Sequence, residues 1–379
     1  MRRSFLYFLI VVVIVTSCVT QIRDFEQVSN DGFLTVEGSL SNQKGPHRVI
    51  VSQSSPSISI NVENKPIKSA RVYITDDKGA RENLIEITNG IYETSNGFSG
   101  IVGNTYTLHI DLPNGKKYQS NPEKLIGVPK IDRINSTFSV KSNFPANDVR
   151  SVGFDITLDF TDSPEPNQYY QWKWTHYERT VFCANCDLGY DYILGRCSLE
   201  PDFPYGQTFP ERINYPCSEQ CFDVAFSPTY NILSDNLFNG QQITNYPIVR
   251  VPFNDRAQYY LKIEQRSISP KVFRYYRSIK DVAQGSGTLF DVPAETQFSP
   301  NMFNVNDADE KILGLFEVFG SDERIIYVDR NVGTGNYAPV RPQIIGRTLP
   351  PPPGGISGPR AYCTEGKYRT KTEPKEWKD

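Results

Sequence analysis

The stretch Ser151-Val152-Gly153-Phe154-Asp155-Ile156-Thr157-Leu158-Asp159-Phe160 decides the fold class. Val152, Phe154, Ile156, Leu158 and Phe160 fall on one face, the period of two that a half-buried strand requires and a helix cannot use. The next run, Tyr169-Tyr170-Gln171-Trp172-Lys173-Trp174, is aromatic on both faces and reads as a central strand. Upstream the same period begins at Phe33, where Leu34, Val36 and Gly38 alternate with Thr35 and Glu37. Arg48 to Val51, Ala70 to Ile74 and Tyr106 to Ile110 continue it, separated by Asp76-Asp77-Lys78-Gly79 and Pro113-Asn114-Gly115-Lys116. In both turns glycine supplies the positive φ of a tight reversal. Short alternating runs at this spacing predict an antiparallel sandwich.

Downstream, Gln258 to Gln265 reads as a strand, and Ile312 to Val318 and Arg324 to Val328 as two closing strands. One helix stands out: Ser269 as N-cap, Pro270 at the first position, a stripe of Val272, Tyr276, Ile279 and Ala283, and Gly285 just beyond. Lys271, Arg274, Arg277 and Lys280 occupy its outer face, a solvated surface by the simpler reading and a contact for an acidic partner by the sharper one. The expected fold is all-β (mainly β). An immunoglobulin-like β-sandwich spans residues 33–128. A larger β-sandwich-like domain with one inserted helix and a cysteine-rich loop region follows at 129–348. A Pro-rich tail, opening on Leu349 and Pro350 to Pro353, occupies 349–379.

The N-terminus sets the expected compartment. Arg2 and Arg3 precede an uncharged apolar run from Phe5 to Val15, which ends in Val15-Thr16-Ser17-Cys18. A helix needs about 20 residues to span a bilayer, so the run fits an export leader better than a membrane span. Residues 1–17 are expected to be removed as a signal peptide. That leaves Cys18 as the site of lipidation, with 18–32 as a lipidated tether. The expected address is the outer membrane, on its periplasmic face or the cell surface. The chain has 40 Lys and Arg against 43 Asp and Glu. This mild acidity, with no long basic run, argues against nucleic acid as a partner.

The chain resembles a family of Bacteroidota lipoproteins known as domain of unknown function 4249. The resemblance rests on Phe33 to Gly38, Ser69 to Gly79, Gly90 to Tyr92 and Gly103 to Leu108, and most specifically on Gly287 to Pro293 with Asp309 to Gly314. Paired Tyr275 and Tyr276 on the helix belong to the same pattern. The C-terminus departs from it: the family's closely spaced cysteines are replaced by Cys363 alone, and the chain ends Glu373-Pro374-Lys375-Glu376-Trp377-Lys378-Asp379. The resemblance implies an outer-membrane lipoprotein encoded near TonB-dependent receptors, and it supplies no catalytic residue.

Apart from Cys18, six cysteines remain: Cys183, Cys186, Cys197, Cys217, Cys221 and Cys363. An even count in an exported chain favours disulfides, and six cysteines admit 15 pairings. Cys363 is expected to reach back into the 183–221 cluster. Zinc on Cys183-x2-Cys186 and Cys217-x3-Cys221 is the alternative, weakened by oxidation outside the cytoplasm. Redox catalysis at Cys183-Ala184-Asn185-Cys186 lacks the βαβ setting that such chemistry uses. His47, His109 and His176 neighbour no nucleophile or second ligand in sequence. Gly333-Thr334-Gly335 lacks the third glycine of a phosphate loop. Asp307, Asp309 and Glu310, with Asn304 and Asn306, read as a turn, and calcium is the sharper alternative. Tyr170, Trp172 and Trp174 form either a buried stripe or a platform for a ligand such as a sugar ring. No cofactor is expected. The functional expectation is a non-catalytic binding or accessory protein for TonB-dependent uptake, its ligand unknown; the alternative is a structural or adhesive surface protein.

Overall fold

The computed structural model describes residues 32–54, 64–141, 152–187, 189–191, 193–198, 213–254, 256, 258–284, 298–335, 347–348 and 360–378. The apolar leader run, Cys18 and its tether, the stretch Gly287 to Pro293 and the run Pro350 to Pro353 lie outside them. The principal elements are β1 (Leu34–Ser41), β2 (Arg48–Gln53), β3 (Arg71–Asp76), β4 (Thr105–Asp111), β5 (Lys117–Ser120), β6 (Ile131–Ser139), β7 (Gly153–Thr161), β8 (Tyr169–Arg179), β9 (Gln242–Pro252), β10 (Tyr259–Ser267), α1 (Pro270–Gln284) and β11 (Ile312–Val328). The protein is all-β and sandwich-like, with one α-helix among the described residues.

One eleven-stranded sheet carries everything else. Its path runs from Arg369–Thr370 through Phe222–Phe226, β8, β10, β11, β1, β2 and Ile91–Glu93 to Ile85–Thr88. The two closing strands expected around residues 312 and 324 are a single strand of 17 residues. Ser321, Asp322 and Glu323 look like a break because they are polar, yet they stay in register with β10. The first half of β11 pairs in parallel with β1, from Leu34↔Ile312 to Ser41↔Phe319. Its second half pairs antiparallel with β10, from Ser267↔Gly320 to Tyr259↔Val328. The chain leaves the N-terminal sandwich after residue 128 and returns to it at residue 298.

Side-chain parity then assigns two faces. On one face Val36 and Leu40 of β1, Val51 of β2 and Phe316 of β11 pack against Ile74 of β3 and Leu108 of β4. β3 and β4 belong to a six-stranded sheet that also contains β5 and Met302–Asn304. Further along the same face, Tyr170 and Trp172 of β8 and Leu261 and Ile263 of β10 pack against Ile156 and Leu158 of β7. β7 is the middle strand of the sheet β6-β7-β9. The alternation read from Val152 to Phe160 therefore points into a core, as expected. Fully burying such a side chain contributes about 1.5–3 kcal/mol. An exposed ion pair such as Arg48–Glu93 contributes under about 1 kcal/mol, so the two cores set the stability.

The opposite face of the large sheet carries α1 and the C-terminal segment. Ser269 caps the helix, its Oγ accepting from the Val272 N–H at 3.4 Å. Val272 and Tyr276 are buried with Ile268 and Phe319, and Ile279 packs partly buried beside them, so the stripe lies on the sheet as its spacing predicts up to its last member, Ala283, which is exposed. Arg277 makes a solvated pair with Asp281, in keeping with an outer face in water. At the far end, residues 360–378 form a strap. Arg369–Thr370 joins the sheet edge, and the Trp377 ring packs against Phe222, Tyr260 and Tyr327.

Gly314 marks the tightest point of the parallel pairing. Its φ is +79°, and a Cβ there would sit 2.0 Å from the Val36 carbonyl oxygen. Gly79, at φ +88°, faces open space. Gly314→Ala should therefore cost about 2–3 kcal/mol in urea denaturation, while Gly79→Ala costs only its backbone strain of about 1 kcal/mol. Equal losses would show that the parallel contact is not tight.

Candidate functional site

The six cysteines form three disulfides: Cys183–Cys217, Cys186–Cys197 and Cys221–Cys363. Cys363 does reach back into the cluster, as expected, and fastens the C-terminal strap to the sheet edge. The sulfurs of Cys183, Cys221 and Cys363 lie within 4.8 Å of one another, so two bridges abut in a small core with Tyr190, Ile213 and Tyr215. Cys183 and Cys186 bond to different partners, which leaves neither the CxxC dithiol nor thiolate ligands for zinc in this oxidised state.

Two of the three rings in the aromatic triple of β8 belong to the core. Tyr170 and Trp172 are fully buried, and Trp174 packs half-buried against the same core. Tyr170 donates to Asp162. Trp172 Nε1 donates to Gln265 Oε1 at 2.9 Å, and its ring lies 4.2 Å from that of Tyr246. Tyr170 and Trp172 therefore offer no surface to a ligand, while Trp174 lines one of the hollows described below. The acidic run behaves as a turn. Asp307 Oδ1 accepts from the Asp309 N–H at 3.1 Å. Glu310 accepts from Lys116 at 3.1 Å, from Tyr118 at 2.9 Å and from Asn304 at 2.5 Å. Burial alone would raise the Glu310 pKa, but these donors hold it below the ordinary carboxylate value. With its oxygens so engaged, Glu310 is a poor calcium ligand. The histidines are structural: His176 Nδ1 lies 2.8 Å from the Tyr260 carbonyl oxygen, and its ring stacks on Tyr259.

The other face of β8 carries the site. Gln171 and Lys173 alternate with the buried rings and point toward the helix side of the sheet, where two adjoining hollows of about 570 and 500 Å³ share Lys173, Tyr230 and Arg266. Together they form one cleft between α1, the sheet and the segment from Phe226 to Tyr230. Its floor is a buried charge cluster. Arg266 Nη1 donates to Glu317 Oε2 at 3.1 Å and Nη2 to Glu264 Oε2 at 2.5 Å. Glu264 Oε1 also accepts from Ser321 Oγ at 2.9 Å, and Lys173 Nζ lies 3.8 Å from Glu317 Oε2. The guanidinium stands over the Phe319 ring, 4.0 Å from its centroid.

The electrostatics follow from that packing. Burial would raise the Glu264 carboxyl and lower the Arg266 guanidinium, yet each holds the other charged: Glu264 sits below its ordinary value and Arg266 above. Lys173 is pulled below the usual lysine range, first by desolvation and then by repulsion from Arg266. Tyr276, buried beside Glu317, is held well above a free phenol, first by burial and then by that carboxylate.

Not every polar group is satisfied. Gln171 is 1% exposed, and neither its Oε1 nor its Nε2 has a hydrogen-bond partner. Arg266 Nε and Thr35 Oγ1, both buried, are likewise unpartnered. Gln171 and Arg266 stand opposite each other across β8 and β10. A buried unsatisfied amide costs about 1–3 kcal/mol, so these atoms are a local cost in the packing beneath the cleft.

Sequence reasoning missed these residues because alternating charges on strands ordinarily face water. The available signal was the helix: its apolar stripe has to lie on something, and the strands beneath it are the ones carrying Lys173, Glu264, Arg266 and Glu317.

Residues 21–325 match the model of the family described as Domain of unknown function (DUF4249), and the chain belongs to that family. No curated protein matches the chain.

Two predictions follow from this geometry. Arg266→Met leaves Glu264 and Glu317 facing each other without their shared cation and should cost about 3–5 kcal/mol at neutral pH. Their folded-state pKa values would then rise above the unfolded ones, so the variant should regain stability as the pH falls through the raised values. A stability deficit independent of pH would refute the charge argument. Removing the strap bridge, by Cys221→Ala with Cys363→Ala, should cost about 2–5 kcal/mol by urea denaturation. No measurable loss would mean that the strap is held by Trp377 and its strand pairing alone.

Proposed function

We propose that the protein is a lipid-anchored envelope protein that captures a small polar ligand in the cleft beneath α1 and acts as a non-catalytic accessory to TonB-dependent uptake at the outer membrane. The observation that carries the binding role is the pair of adjoining hollows beside α1, which share Lys173, Tyr230 and Arg266. A concave site with a few convergent polar groups is where a ligand is expected first. Capture without covalent chemistry suits a floor whose charges are spent on one another: Arg266 is shared between two carboxylates, and Lys173 leans on one of them.

The address rests on the export leader read before Cys18, and three disulfides suit an oxidising compartment. Association with a TonB-dependent receptor rests on the family resemblance. The alternative, an adhesive or structural surface protein, draws on the edge strand Ile85–Thr88, whose Ile85 and Ile87 side chains are 71% and 53% exposed. An exposed apolar edge is a template for pairing with another chain.

Metabolic labelling with radioactive palmitate tests the anchor: the wild-type chain should be labelled and sediment with outer membranes, and Cys18→Ala should be unlabelled and released. Wild-type protein that stays unlabelled sinks the address. Affinity purification from solubilised outer membranes should then recover a TonB-dependent receptor. Its consistent absence, together with loss of surface attachment on deletion, would favour the adhesive alternative.

A further inference from the structure

Two of the three disulfides abut, and that adjacency has a chemical consequence. We infer that Cys183, Cys221 and Cys363 form a thiol-exchange centre, through which reduction of either bridge is passed to the attachment of the C-terminal strap.

Proximity comes first. The three sulfurs lie within 4.8 Å of one another, although Cys183 is bonded to Cys217 and Cys221 to Cys363. All three residues are buried, at 7%, 0% and 7% exposure, so a thiolate formed on Cys183 has the neighbouring disulfide as its nearest electrophile. Exchange requires a thiolate that can reach a disulfide sulfur. Once released from Cys217, the Cys183 sulfur swings about a single side-chain torsion between staggered positions, and the gap to the neighbouring bridge is of that order.

The placement does not depend on the bridges themselves. Backbone bonds hold the strap on both sides of Cys363. The Ala361 N–H donates to the Pro216 carbonyl and the Ser218 N–H to the Ala361 carbonyl, each at 2.9 Å. Arg369–Thr370 pairs with Phe222 and Asp223 at the sheet edge. Arg369 Nη1 donates to the Cys183 carbonyl at 2.8 Å and its Nε to Asp223 Oδ1 at 2.9 Å, so one strap side chain ties the Cys183 segment to the strand after Cys221. The Thr180 N–H donates to the Cys221 carbonyl at 2.9 Å. With a bridge open, these bonds keep the three sulfurs together, and exchange runs at the high effective concentration of a preorganised site.

The steps balance. A thiolate, from a small thiol or a dithiol exchange enzyme, attacks Cys217 Sγ; the Cys183–Cys217 bond breaks and its electron pair stays on Cys183 Sγ. That thiolate attacks Cys363 Sγ, forming Cys183–Cys363 and leaving the pair on Cys221 Sγ, which takes a proton from water. Attack on Cys221 Sγ instead forms Cys183–Cys221 and leaves Cys363 as the thiol. A second equivalent of thiol frees Cys217 and carries the reductant away as its own disulfide. Opening Cys221–Cys363 first leads to the same species, since the thiolate set free then attacks Cys183 and expels Cys217. In one product the strap is tied to Cys183. In the other its covalent hold is gone, and strand pairing and the packing of Trp377 keep it on the sheet.

The test treats the whole native protein with a limiting amount of a water-soluble phosphine, well below its melting temperature. Free thiols are then alkylated in acid-quenched samples, and the remaining bridges are mapped by mass spectrometry of unreduced peptides. Molecules with two free thiols should contain Cys183–Cys363 or Cys183–Cys221, with Cys217 alkylated in both and Cys186–Cys197 intact. Cys217→Ser needs no reductant: its odd thiol should be found on Cys221 or Cys363 in a fraction of molecules, and on Cys183 in the rest. If that variant does not fold, the wild-type map decides. Two-thiol species labelled on Cys183 and Cys217 alone, or on Cys221 and Cys363 alone, with no new bridge, would overturn the inference. New bridges that include Cys186 or Cys197 would overturn it too, because they mark exchange through the unfolded chain. So would the loss of all bridges together, with no two-thiol species formed before global unfolding.

Discussion

The parallel pairing of β1 with the first half of β11 is the constraint on which the rest depends. It joins the first strand of the N-terminal sandwich to a strand nearly 280 positions later, and β11 then runs on into the other sandwich without leaving the sheet. Because side chains alternate strictly along each strand, this one register decides which residues enter the two cores and which face the helix. A slip by a single residue would turn Phe316 and Val318 outward and bring Glu317 into the hydrophobic cluster. Gly314 admits the close approach of the two backbones where any side chain would collide with Val36.

The same continuity creates the cleft. Two small sheets cover one face of the large sheet, and on the opposite face, among the described residues, α1, the segment near Tyr230 and the C-terminal strap lie against it. Between them is a strip of strand surface too enclosed to be fully solvated and too polar to be a core. Its charges are affordable only as a mutually neutralising group, and the helix dictates that arrangement by burying Tyr276 against Glu317. Stability and site are therefore coupled through Arg266, which pairs with both carboxylates and lines both hollows.

Much of the fold was legible in the sequence. Period-two alternation from Val152 to Phe160, the glycine turns and the Ser269–Pro270 helix start all act locally, and the structure keeps them. The union of the two closing strands was not legible, because Ser321-Asp322-Glu323 reads as a turn unless the partners that accept those side chains are known. Ser321 donates to Glu264, and Asp322 accepts from the Ile131 N–H. The site was legible in its strand but not in its face. Tyr170 and Trp172 drew attention to β8, where large aromatic rings are most cheaply spent on a core, while Gln171 between them looked like ordinary strand polarity. Tertiary packing, which no local pattern shows, makes that glutamine buried. The reach of Cys363 to the cluster was foreseen, but its partner was a matter of three-dimensional proximity.

The pairing order of the cysteines carries a further consequence for biogenesis. A chain threaded from its N-terminus meets an oxidant one thiol at a time, and joining neighbours as they emerge would link Cys183 to Cys186 and Cys197 to Cys217. The native bridges are nested instead, with Cys186–Cys197 lying inside the loop closed by Cys183–Cys217. Donation of oxidising equivalents alone thus favours the wrong isomer, and maturation calls for a catalyst that reshuffles bonds already made. A protein with this bridge pattern needs a proofreading step for its sulfur chemistry as well as an electron acceptor.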